Sequence, residues 1–574
     1  MRILFQEEVR QLERDAEKHG LSELVLMEAA GTGVANFCLQ QYEFNTVCVV
    51  CGRGNNGGDG LVAATALQAL GREVSVLIIA KGPDELKGSA GKMLSHLPIK
   101  PIWISKESDL AGRAAREALS AELIVDAVVG TGFKPPLKGL NKHVVDAINE
   151  CPGFVVSVDL PSGIDGDISE PPEEAEDAVM ADGIVTFIAP RPAHVFGNLC
   201  SGPIAVHELV PATPLVEAKL QQNVATAQDL AMIFPPRADD AHKGDFGHVL
   251  VIAGSLGKAG AAALSALGAL RTGAGLVTVA CPKSIQSTVA GFAPELMTEG
   301  LEETAEGTIA LAAQKRIDRL LTGKDAIVLG PGLSQNEETS QVIRQLVGSC
   351  PLPLILDADG LNAFAGKYGE LRPRNGSAPI RVLTPHPGEA ARLVDLPIKE
   401  VQGNRIGIAK RIAVETGSCV VLKGWRTVVA DPIGEVWINM TGNAAMAKAG
   451  SGDVLSGMIA AALARNRGGI GWAGGSGLSE FEEVNSLLEQ LFETDPDLER
   501  IEPHELEPNF DLLSSALKTQ KVAAAVHLHG LAGDFARIGQ TENSVLASHI
   551  LRCISDAFSN CEEQVETGLF YLSK

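Results

Sequence analysis

Short apolar runs rich in valine and isoleucine recur along the first third of the chain, separated by polar or helical segments. They cover residues 46–51, 74–80, 123–129, 154–160 and 183–189. None of them alternates polar and apolar residues, which is typical of strands buried on both faces. The gaps leave room for crossover helices, so the pattern predicts a parallel, doubly wound α/β sheet.

The same pattern of apolar runs separated by polar or helical segments occurs again in the second part of the chain. Its apolar runs cover residues 248–254, 276–281, 326–330, 354–359, 381–385 and 419–424. A polar, weakly periodic segment around residues 211–228 separates the two series. A length of 574 residues also favours more than one domain. We therefore predict two α/β domains, at residues 1–215 and 225–574.

Charge and hydropathy exclude several classes of partner. Lysine and arginine number 48 against 71 aspartates and glutamates, a net charge of −23. Nucleic acids and anionic membranes both select for excess positive charge, so neither is an expected partner. The N-terminus becomes charged at once, and no run of about 18 apolar residues is available to cross a bilayer. We expect a cytoplasmic protein.

Ten cysteines in so long a chain do not indicate a disulfide framework. Cys48 and Cys51 have the spacing of redox or zinc sites, but they lie in the apolar run TVCVVC. The favoured interpretation is that both are core residues, because reduced cysteine packs as a small hydrophobe.

An acidic segment interrupts the second series at about residues 467–515. Between Glu480 and Asp511 there are twelve acidic residues and one arginine. A solvated surface insertion is the favoured interpretation, and an interaction arm is the alternative.

Three polar loops follow predicted strands of the first domain. They are GRGNNGGDG at 52–60, DAVVGTGFKPP at 126–136 and DLPSGIDGD at 159–167. Glycines allow the backbone to turn tightly and approach a phosphate, and the helix after the first loop offers free N–H groups. Ligands of open parallel sheets bind beyond the carboxyl ends of the strands. A ligand site is therefore favoured over three unrelated structural turns.

Together these three loops resemble the epimerase domain that repairs hydrated NADH and NADPH, which has a Rossmann-like fold. The resemblance implies substrate contacts by two loops, at Asn55, Asn56, Gly57, Gly58, Asp59, Gly130, Thr131, Gly132, Phe133, Lys134, Pro135 and Pro136. It also implies a potassium ion bound by Asn56, Asp126 and Ser162, with Asp159 as the catalytic carboxylate. The chain departs from the family at LMEAAG, residues 26–31, and at Arg191-Pro192, where the family has a lysine.

The segment TGNAAMAKAGSGD, residues 441–453, carries the chemistry of the second domain. A Gly-Ser-Gly turn before a long apolar helix aims backbone N–H groups at one point, a hole that stabilises a transferring phosphoryl group. Asp453 beside this hole is placed to take a proton from an attacking hydroxyl. The alternative is that Asp453 only caps the helix.

Further motifs occur along the second domain, from HKGDFG at 242–247 to HLHGLAGD at 527–534. The set resembles ribokinase-like dehydratases that act on the same hydrated nicotinamide nucleotides. The resemblance implies that Asp453 is the base, beside an anion hole formed by Ala449, Gly450, Ser451 and Gly452. It implies that the nucleotide, with Mg²⁺, contacts Lys423, Gly424, Trp425, Arg426, Thr427, Asn443 and Gly452. The hydrated nicotinamide would contact Ala274, Gly332 and His386.

Two assignments in this domain stay open. His386 lies between two prolines, where a surface turn residue is the alternative to a substrate ligand. Asp357 and Asp359 are either a metal or substrate pair or caps of the following helix.

The two resemblances imply an epimerase fused to a dehydratase driven by ADP or ATP, and a homo-oligomer. The first domain would interconvert the R and S hydrates, and the second would dehydrate the S form. One rival is a ribokinase-like kinase acting on a small vitamin precursor, which the anion hole and Asp453 fit equally. A second alternative is that the first domain is a non-catalytic binding module.

Overall fold

The computed structural model describes residues 1–18, 20–130, 132–168, 178–200, 202–209, 221–373, 379–465 and 503–573, with side chains from residue 516 in the last range. The chain forms two units, Met1–Gln221 with Thr567–Lys574, and Gln222–Glu566. Most of the predicted acidic insertion, residues 466–502, and most of the predicted join lie outside the described residues. None of the described helices combines the length and apolar character needed to cross a membrane.

The first unit is built around an eight-stranded sheet. Its elements in chain order are α1 (Gln6–Lys18), α2 (Glu23–Gln41), β1 (Thr46–Cys51), α3 (Asn55–Ala69), β2 (Glu73–Ile78), α4 (Gly88–His96), β3 (Ile102–Trp103), α5 (Glu107–Leu110), α6 (Arg113–Leu119), β4 (Leu123–Ala127), α7 (Leu140–Asn149), β5 (Phe154–Val158), β6 (Gly183–Phe187), α8 (Pro192–Phe196) and β7 (Ile204–His207). The last strand of the chain, Leu569–Ser573, completes this sheet.

The strand order is β3-β2-β1-β4-β5-β6-β7, followed by the C-terminal strand at the edge. All pairs are parallel except that of β7 with the C-terminal strand. All five predicted strands are present, which confirms the doubly wound fold. In β1, Cys51 packs into the core on one face and Cys48 into the core on the other. Both faces are buried, which explains why this run does not alternate.

The cysteine prediction is also confirmed. Cys48 and Cys51 are both fully buried, and all ten cysteines are free. Burial raises the pKa of both thiols, which makes them poor nucleophiles and poor metal ligands.

The second unit is built around a ten-stranded sheet. Its elements are β8 (Gln222–Val224), α9 (Ala227–Ile233), β9 (His248–Ile252), α10 (Ala259–Arg271), β10 (Leu276–Pro282), α11 (Gln286–Ala290), β11 (Met297–Leu301), α12 (Gln314–Leu320), β12 (Ala326–Leu329), α13 (Glu337–Ser349), β13 (Leu354–Leu356), α14 (Asp359–Asn362), β14 (Arg381–Leu383), α15 (Pro387–Val394), α16 (Ile398–Gly403), α17 (Arg405–Thr416), β15 (Cys419–Leu422), β16 (Val428–Ala430), β17 (Val436–Ile438), α18 (Ser451–Ala464), α19 (Pro503–Ile538), α20 (Ala547–Arg552) and α21 (Ile554–Thr567). The C-terminal strand of the first unit is β18.

The second sheet has the order β11-β10-β9-β12-β13-β14-β15-β16-β17-β8. Strands β11 to β15 in this order are parallel, and β16 is antiparallel to both of its neighbours. All six predicted strands are present.

One predicted boundary needs correction. The second domain was predicted to extend to residue 574, but β18 pairs antiparallel with β7 in the first sheet. Phe570 and Leu572 are buried there, which removes their apolar side chains from water.

Candidate active sites

The first sheet changes direction between β1 and β4. These two strands are paired with each other. After β1 the chain adds β2 and β3 on one side, and after β4 it adds β5, β6 and β7 on the other side. The loops after these strands carry two of the predicted motifs. A crevice at such a switch point is the usual ligand site of a doubly wound sheet.

A cavity of about 520 Å³ lies at this position. Predicted site residues line it from three loops and the start of α3, namely Asn55, Asn56, Asp59, Gly130, Gly132, Phe133 and Asp159. Thr131 lies outside the described residues. The three-loop site predicted from the sequence is therefore brought together at one cavity.

Other predicted contacts do not line this cavity. A Cβ on Gly57 would lie 2.1 Å from the Gly52 carbonyl oxygen, and one on Gly58 would lie 2.5 Å from the Met27 sulfur. These two glycines do not face the cavity; their lack of a side chain allows α3 to pack closely against Gly52 and Met27. Lys134 is paired with Asp165 at 3.0 Å, and Pro135 and Pro136 are also absent from the cavity wall.

Asp159 lies at the carboxyl end of β5 in a left-handed conformation, with φ of 66°. It is 7% exposed. Its carboxylate accepts a hydrogen bond from Thr186 Oγ1 at 2.9 Å and lies 3.5 Å from Arg191 Nη2. Non-glycine residues are costly in this conformation, and such strain concentrates at functional sites.

Arg191 is a site residue that the sequence motifs did not identify. Its side chain is buried, lines the cavity and provides the cation beside Asp159. His194 fixes the same corner, since its Nδ1 accepts from the Arg191 N–H at 2.9 Å while Nε2 donates to the Asp159 carbonyl oxygen at 2.7 Å. Burial lowers the pKa of His194, so the ring is neutral. Thus Arg191 brings a positive charge to the position after β6, where the family has a lysine.

Helix α1 contributes two further side chains that carried no motif. Arg10 and Glu13 line the cavity together with Asp159. The only sequence signal available was that both residues lie on the charged face of α1, a pattern shared with any solvated helix.

The predicted potassium ligands form a compact group of oxygen atoms. Asp126, fully buried in β4, accepts hydrogen bonds from Ser162 Oγ at 2.6 Å, Ser162 N at 2.9 Å and Ser157 Oγ at 2.9 Å. Ser162 Oγ is also 3.2 Å from the Val129 carbonyl oxygen. Burial raises the pKa of Asp126, and the hydrogen bonds from Ser162 oppose this effect.

Two features of this group fit a hard cation. Among the described residues Asp126 has no lysine or arginine partner, although buried carboxylates are normally paired or bound to a metal. Asn56 Oδ1, an oxygen that accepts no hydrogen bond from any described residue, lies against Gly130 in the loop after β4.

The second sheet has its own switch point, between β9 and β12. Gly332, after β12, has φ of 65°, and its carbonyl oxygen accepts a hydrogen bond from Ser255 Oγ at 2.7 Å. Ser255 follows β9, so the two loops are joined at this edge. His386 follows β14 and therefore lies at the same edge.

Ala274 does not join this group, contrary to the prediction. It precedes β10 (Leu276–Pro282), so it lies at the amino end of the parallel strands. A strand of five residues spans roughly 17 Å, which separates the two edges of the sheet. The motif RTGAG also places Gly275 against the Lys243 carbonyl oxygen, which is a packing role.

Asp453 is the third residue of α18, whose N-cap is Gly450 with φ of 92°. Asp453 makes no side-chain hydrogen bond to any described residue, so the alternative that it caps the helix is wrong. Burial, followed by the charges of Asp357, Glu389 and Asp359, raises the pKa of Asp453 to about 7 against the opposing charge of Lys423. A carboxyl with this pKa is suited to accept a proton near neutral pH.

Lys423 and Asp357 form a buried pair next to Asp453. Lys423 Nζ lies 2.7 Å from Asp357 Oδ1 and 4.0 Å from Glu389, and Ser456 Oγ donates to Asp357 Oδ2 at 2.6 Å. Burial alone would lower the pKa of Lys423, but Asp357 and Glu389 outweigh it, so the pKa is raised. A Cβ on Gly452 would lie 3.1 Å from Lys423 Nζ, which puts the ammonium at the start of α18.

These contacts bear on the open assignment of the two aspartates. Asp357 is paired with Lys423, and Asp359 is 3.4 Å from Lys258 Nζ and accepts from Ser334 N at 2.7 Å. Each carboxylate has its own cation, which favours separate positioning roles over a shared metal site.

The predicted nucleotide segment forms a tight turn between β15 and β16. Thr427 Oγ1 donates to the Gly424 carbonyl oxygen at 2.9 Å, and Gly424 has φ of 143°. Trp425 is 70% exposed, and the Arg426 guanidinium lies 4.9 Å from its ring centroid. The two side chains therefore form an exposed planar pair.

Asn443 is held by a helix that sequence reasoning gave no role in the site. Its Nδ2 donates to Asp534 Oδ1 at 2.8 Å, and Asp534 also accepts from Gly442 N at 2.8 Å. Asp534 lies on α19, together with the buried His529, whose Nε2 is 3.4 Å from Ser451 Oγ. The α19 helix thus fixes both the 442–443 turn and the start of α18.

His386 lies in a turn, as one of the two open alternatives predicted, and its role as a substrate ligand stays a prediction. Its Nδ1 accepts from Gly388 N at 3.0 Å as the N-cap of α15, and its N–H donates to Glu389 at 2.8 Å. The side chain is still 51% exposed and remains accessible to a ligand.

Both halves of the chain match known families. A family model described as NAD(P)H-hydrate dehydratase matches residues 249–490, and one described as YjeF-related protein N-terminus matches residues 23–193.

Three individual proteins illustrate the similarity. The bifunctional NAD(P)H-hydrate repair enzyme Nnr of Thermofilum pendens is 40% identical over 80% of this chain and 87% of that protein. The enzyme of the same name from Moorella thermoacetica is 34% identical over 99% of this chain and 98% of that protein. A solved ADP/ATP-dependent NAD(P)H-hydrate dehydratase from Bacillus subtilis is 26% identical, with a TM-score of 0.43, over 59% of this chain and 98% of that one. This chain belongs to the family of bifunctional NAD(P)H-hydrate repair enzymes.

Proposed function

We propose that the first unit interconverts the R and S hydrates of NADH and NADPH, and that the second dehydrates the S hydrate using ADP or ATP. One observation carries the proposal. The Moorella relative, a bifunctional repair enzyme, aligns over 99% of this chain, so both units have counterparts in it. Each unit also presents its polar loops at its own switch point.

The dehydration follows from the chemistry of the hydrate. Water added at C6 of the reduced nicotinamide leaves a hydroxyl, which is a poor leaving group. Asp453 takes the proton from this hydroxyl as its oxygen attacks the terminal phosphate of the nucleotide. The ring-nitrogen lone pair then assists loss of phosphate from C6, and loss of a proton from C5 restores the cofactor.

The start of α18 is suited to stabilise the transferring phosphoryl group. Its free N–H groups and the positive end of the helix dipole favour negative charge. Lys423 adds an ammonium next to Gly452. The Gly424–Thr427 turn and the Asn443 turn are the proposed nucleotide contacts, and His386 and Gly332 are the proposed contacts of the nicotinamide.

Mg²⁺ accompanies the nucleotide in this proposal. The described residues contain no group of three His, Cys, Asp or Glu side chains suited to hold a metal. Mg²⁺ in phosphoryl-transfer sites is commonly bound by substrate phosphates with one or two carboxylates. The ion supplies charge neutralisation, and the nucleotide provides most of its ligands.

In the first site Asp159 is the proposed catalytic carboxylate. Arg191 Nη2 lies 3.5 Å from its carboxylate, and the hydrogen bond from Thr186 orients it. The proposed K⁺ ligands are Asn56, Asp126 and Ser162. The ion, when bound, supplies the positive charge that the buried Asp126 lacks among the described residues and fixes the loops that hold the substrate.

The test uses the purified full chain with a mixture of R and S NADH hydrate, Mg²⁺ and K⁺. ADP and ATP are added in parallel reactions, and the return of reduced-nicotinamide absorbance is followed. Complete recovery with either nucleotide is the expected result. Recovery that stops at the S fraction would remove the epimerase assignment, and no recovery would favour a small-molecule kinase.

The remaining expectations concern assembly and location. A homo-oligomer and a cytoplasmic location belong to the proposal, and light scattering of the purified chain tests the first.

A further inference from the structure

We propose that Asp59 is the second catalytic residue of the first site, working as the acid–base partner of Asp159. The inference rests on the proposed epimerase function and deepens it. The family resemblance groups Asp59 with loop residues that contact the substrate. The position of its side chain points to proton transfer instead.

Asp59 is free to act on a ligand. It lies on α3 just beyond the first helical turn and lines the same cavity as Asp159. Its neighbour Asn55 is already engaged, since Nδ2 donates to Glu23 at 2.6 Å. Among the described residues nothing hydrogen-bonds to or forms an ion pair with the Asp59 carboxyl. An ionised carboxylate would also repel the substrate's phosphates, so holding them is a poor role for this group.

The groups around the cavity favour a proton on Asp59. Helix α1 brings Arg10 and Glu13, α2 brings Glu23, and the loops after β1, β5 and β6 bring Arg53, Asp159 and Arg191. Burial holds the pKa of Asp59 well above its usual range, and the charges of Asp159, Glu13 and Glu23 raise it further.

Asp159 has the opposite environment. Its carboxylate accepts a hydrogen bond from Thr186 Oγ1 at 2.9 Å and lies 3.5 Å from Arg191 Nη2, whereas Asp59 has neither kind of partner among the described residues. Two carboxyls that line one cavity, one without a partner and one beside a cation, are placed to work as acid and base.

Epimerisation at C6 requires such a pair. The Asp59 carboxyl donates its proton to the C6 hydroxyl, the C6–O bond breaks as water leaves, and the ring-nitrogen lone pair forms the N1–C6 iminium. A water molecule attacks the other face of C6, Asp159 takes one of its protons, and the electron pair returns to nitrogen. Proton exchange with solvent in the cavity then restores both carboxyls. The reverse reaction exchanges their roles, and no redox cofactor is required.

The test measures epimerisation alone. The full chain is incubated with purified R NADH hydrate and K⁺ without ADP or ATP, which leaves the second site idle, and the two epimers are separated by chromatography. Asp59→Asn keeps the size of the side chain and removes the proton donor. We expect kcat to fall at least 100-fold, with KM changed less than threefold. Asp59→Glu should recover part of the rate.

The pH profile separates catalysis from a structural role. Wild-type kcat/KM should fall as the pH rises and Asp59 loses its proton. The residual activity of Asp59→Asn should lack the alkaline fall. The matched control is Asp84→Asn, an exposed carboxylate outside the cavity, which should keep the full profile.

The outcomes distinguish this proposal from the epimerase function itself. If wild-type protein does not interconvert the epimers, the proposed function and this inference both fail. If wild type is active and Asp59→Asn raises KM with kcat unchanged, Asp59 only binds substrate and the inference is overturned. It is also overturned if Glu13→Gln abolishes the rate while Asp59→Asn retains it.

Discussion

At the scale of single residues, neighbouring charges give the two proposed catalytic aspartates, Asp159 and Asp453, different environments. The pKa of Asp453 is raised to about 7, mostly by burial and additionally by three other acidic side chains. Asp159 instead has the Arg191 guanidinium 3.5 Å away. The same type of side chain thus has a carboxylate-rich environment in one unit and a guanidinium neighbour in the other, which suits it to different roles.

Asp453→Asn should abolish dehydration while nucleotide still binds, because the variant keeps the shape of the side chain and loses the base. We expect a loss of 100-fold or more, measured by recovery of reduced-nicotinamide absorbance from the S hydrate. A base with a pKa of about 7 is ionised above that pH. The wild-type rate should therefore fall roughly tenfold between pH 8 and pH 6.

Glu562 is an exposed carboxylate, and Glu562→Gln is the matched control for Asp453→Asn. Substantial turnover by Asp453→Asn, or a flat wild-type profile across pH 7, would contradict the assignment of the base.

Arg191→Met should reduce epimerisation at least tenfold, because Asp159 would lose the only cation bonded to it among the described residues. Loss of this buried partner should also cost about 3 kcal/mol in the free energy of unfolding. Arg191→Lys keeps the charge that the family has at this position and should retain more activity. Epimer chromatography and urea denaturation measure the two effects. Arg113→Met, which removes an exposed pair with Glu117 at 2.6 Å, is the control. Equal rates for the Met and Lys variants would rule out the charge argument.

At the scale of elements, α19 is as important to the second site as the loops that carry its motifs. Asp534 on this helix holds the 442–443 turn, and Gly530 packs against Thr441. A Cβ on Gly530 would lie 2.2 Å from Thr441 Oγ1 and 2.7 Å from its backbone, so α19 must touch this loop directly.

Gly530→Ala should therefore displace the helix from the loop. We expect dehydration to fall at least tenfold, mainly through a higher KM for the nucleotide, and the second unit to lose about 1–3 kcal/mol. Gly539→Ala is the matched control, since a Cβ there meets nothing within 4 Å. Initial rates at varied ADP or ATP measure the effect. Unchanged nucleotide KM in Gly530→Ala would show that the contact does not shape the site.

The elements also show what a sequence can predict. The eleven predicted strands are buried runs whose composition alone indicates their state. Strands β16 and β17 have three residues each, and β11 reads MTEGL, which is too short or too polar for that signal. The partner of β18 is β7, more than 350 residues earlier, and no local pattern specifies such a pairing.

The same limit applies to the sites. Loop motifs singled out Asp159 and Asp453, because several polar, glycine-containing loops occur together in each half of the sequence. Arg191, Asp357 and Asp534 reach these sites from separate elements, and single charged residues do not stand out in a sequence. Ala274 was misassigned because its motif follows a helix and precedes a strand, at the edge away from the ligand site.

At the scale of the whole molecule, two separate α/β sheets each carry one switch point and one set of proposed site loops. Each proposed site draws its described residues from a single unit. The substrate of the second site is one epimer of the pair that the first site interconverts. Neither proposed reaction leaves the hydrate covalently bound to the protein, so nothing in the chemistry requires direct transfer.

Two full-length variants, each inactive at a different one of the two sites, should therefore complement each other in solution. Asp159→Asn alone should restore absorbance only from the S fraction of a mixed hydrate, and Asp453→Asn alone should restore none. An equimolar mixture should restore all of it, at a second-phase rate proportional to the concentration of Asp453→Asn, since that variant supplies the epimerase. The control is Asp159→Asn mixed with a chain carrying both substitutions, which should stop at the S fraction. If the complementing mixture also stops there, the hydrate must pass between sites within one chain or one assembly, and release into solution is wrong.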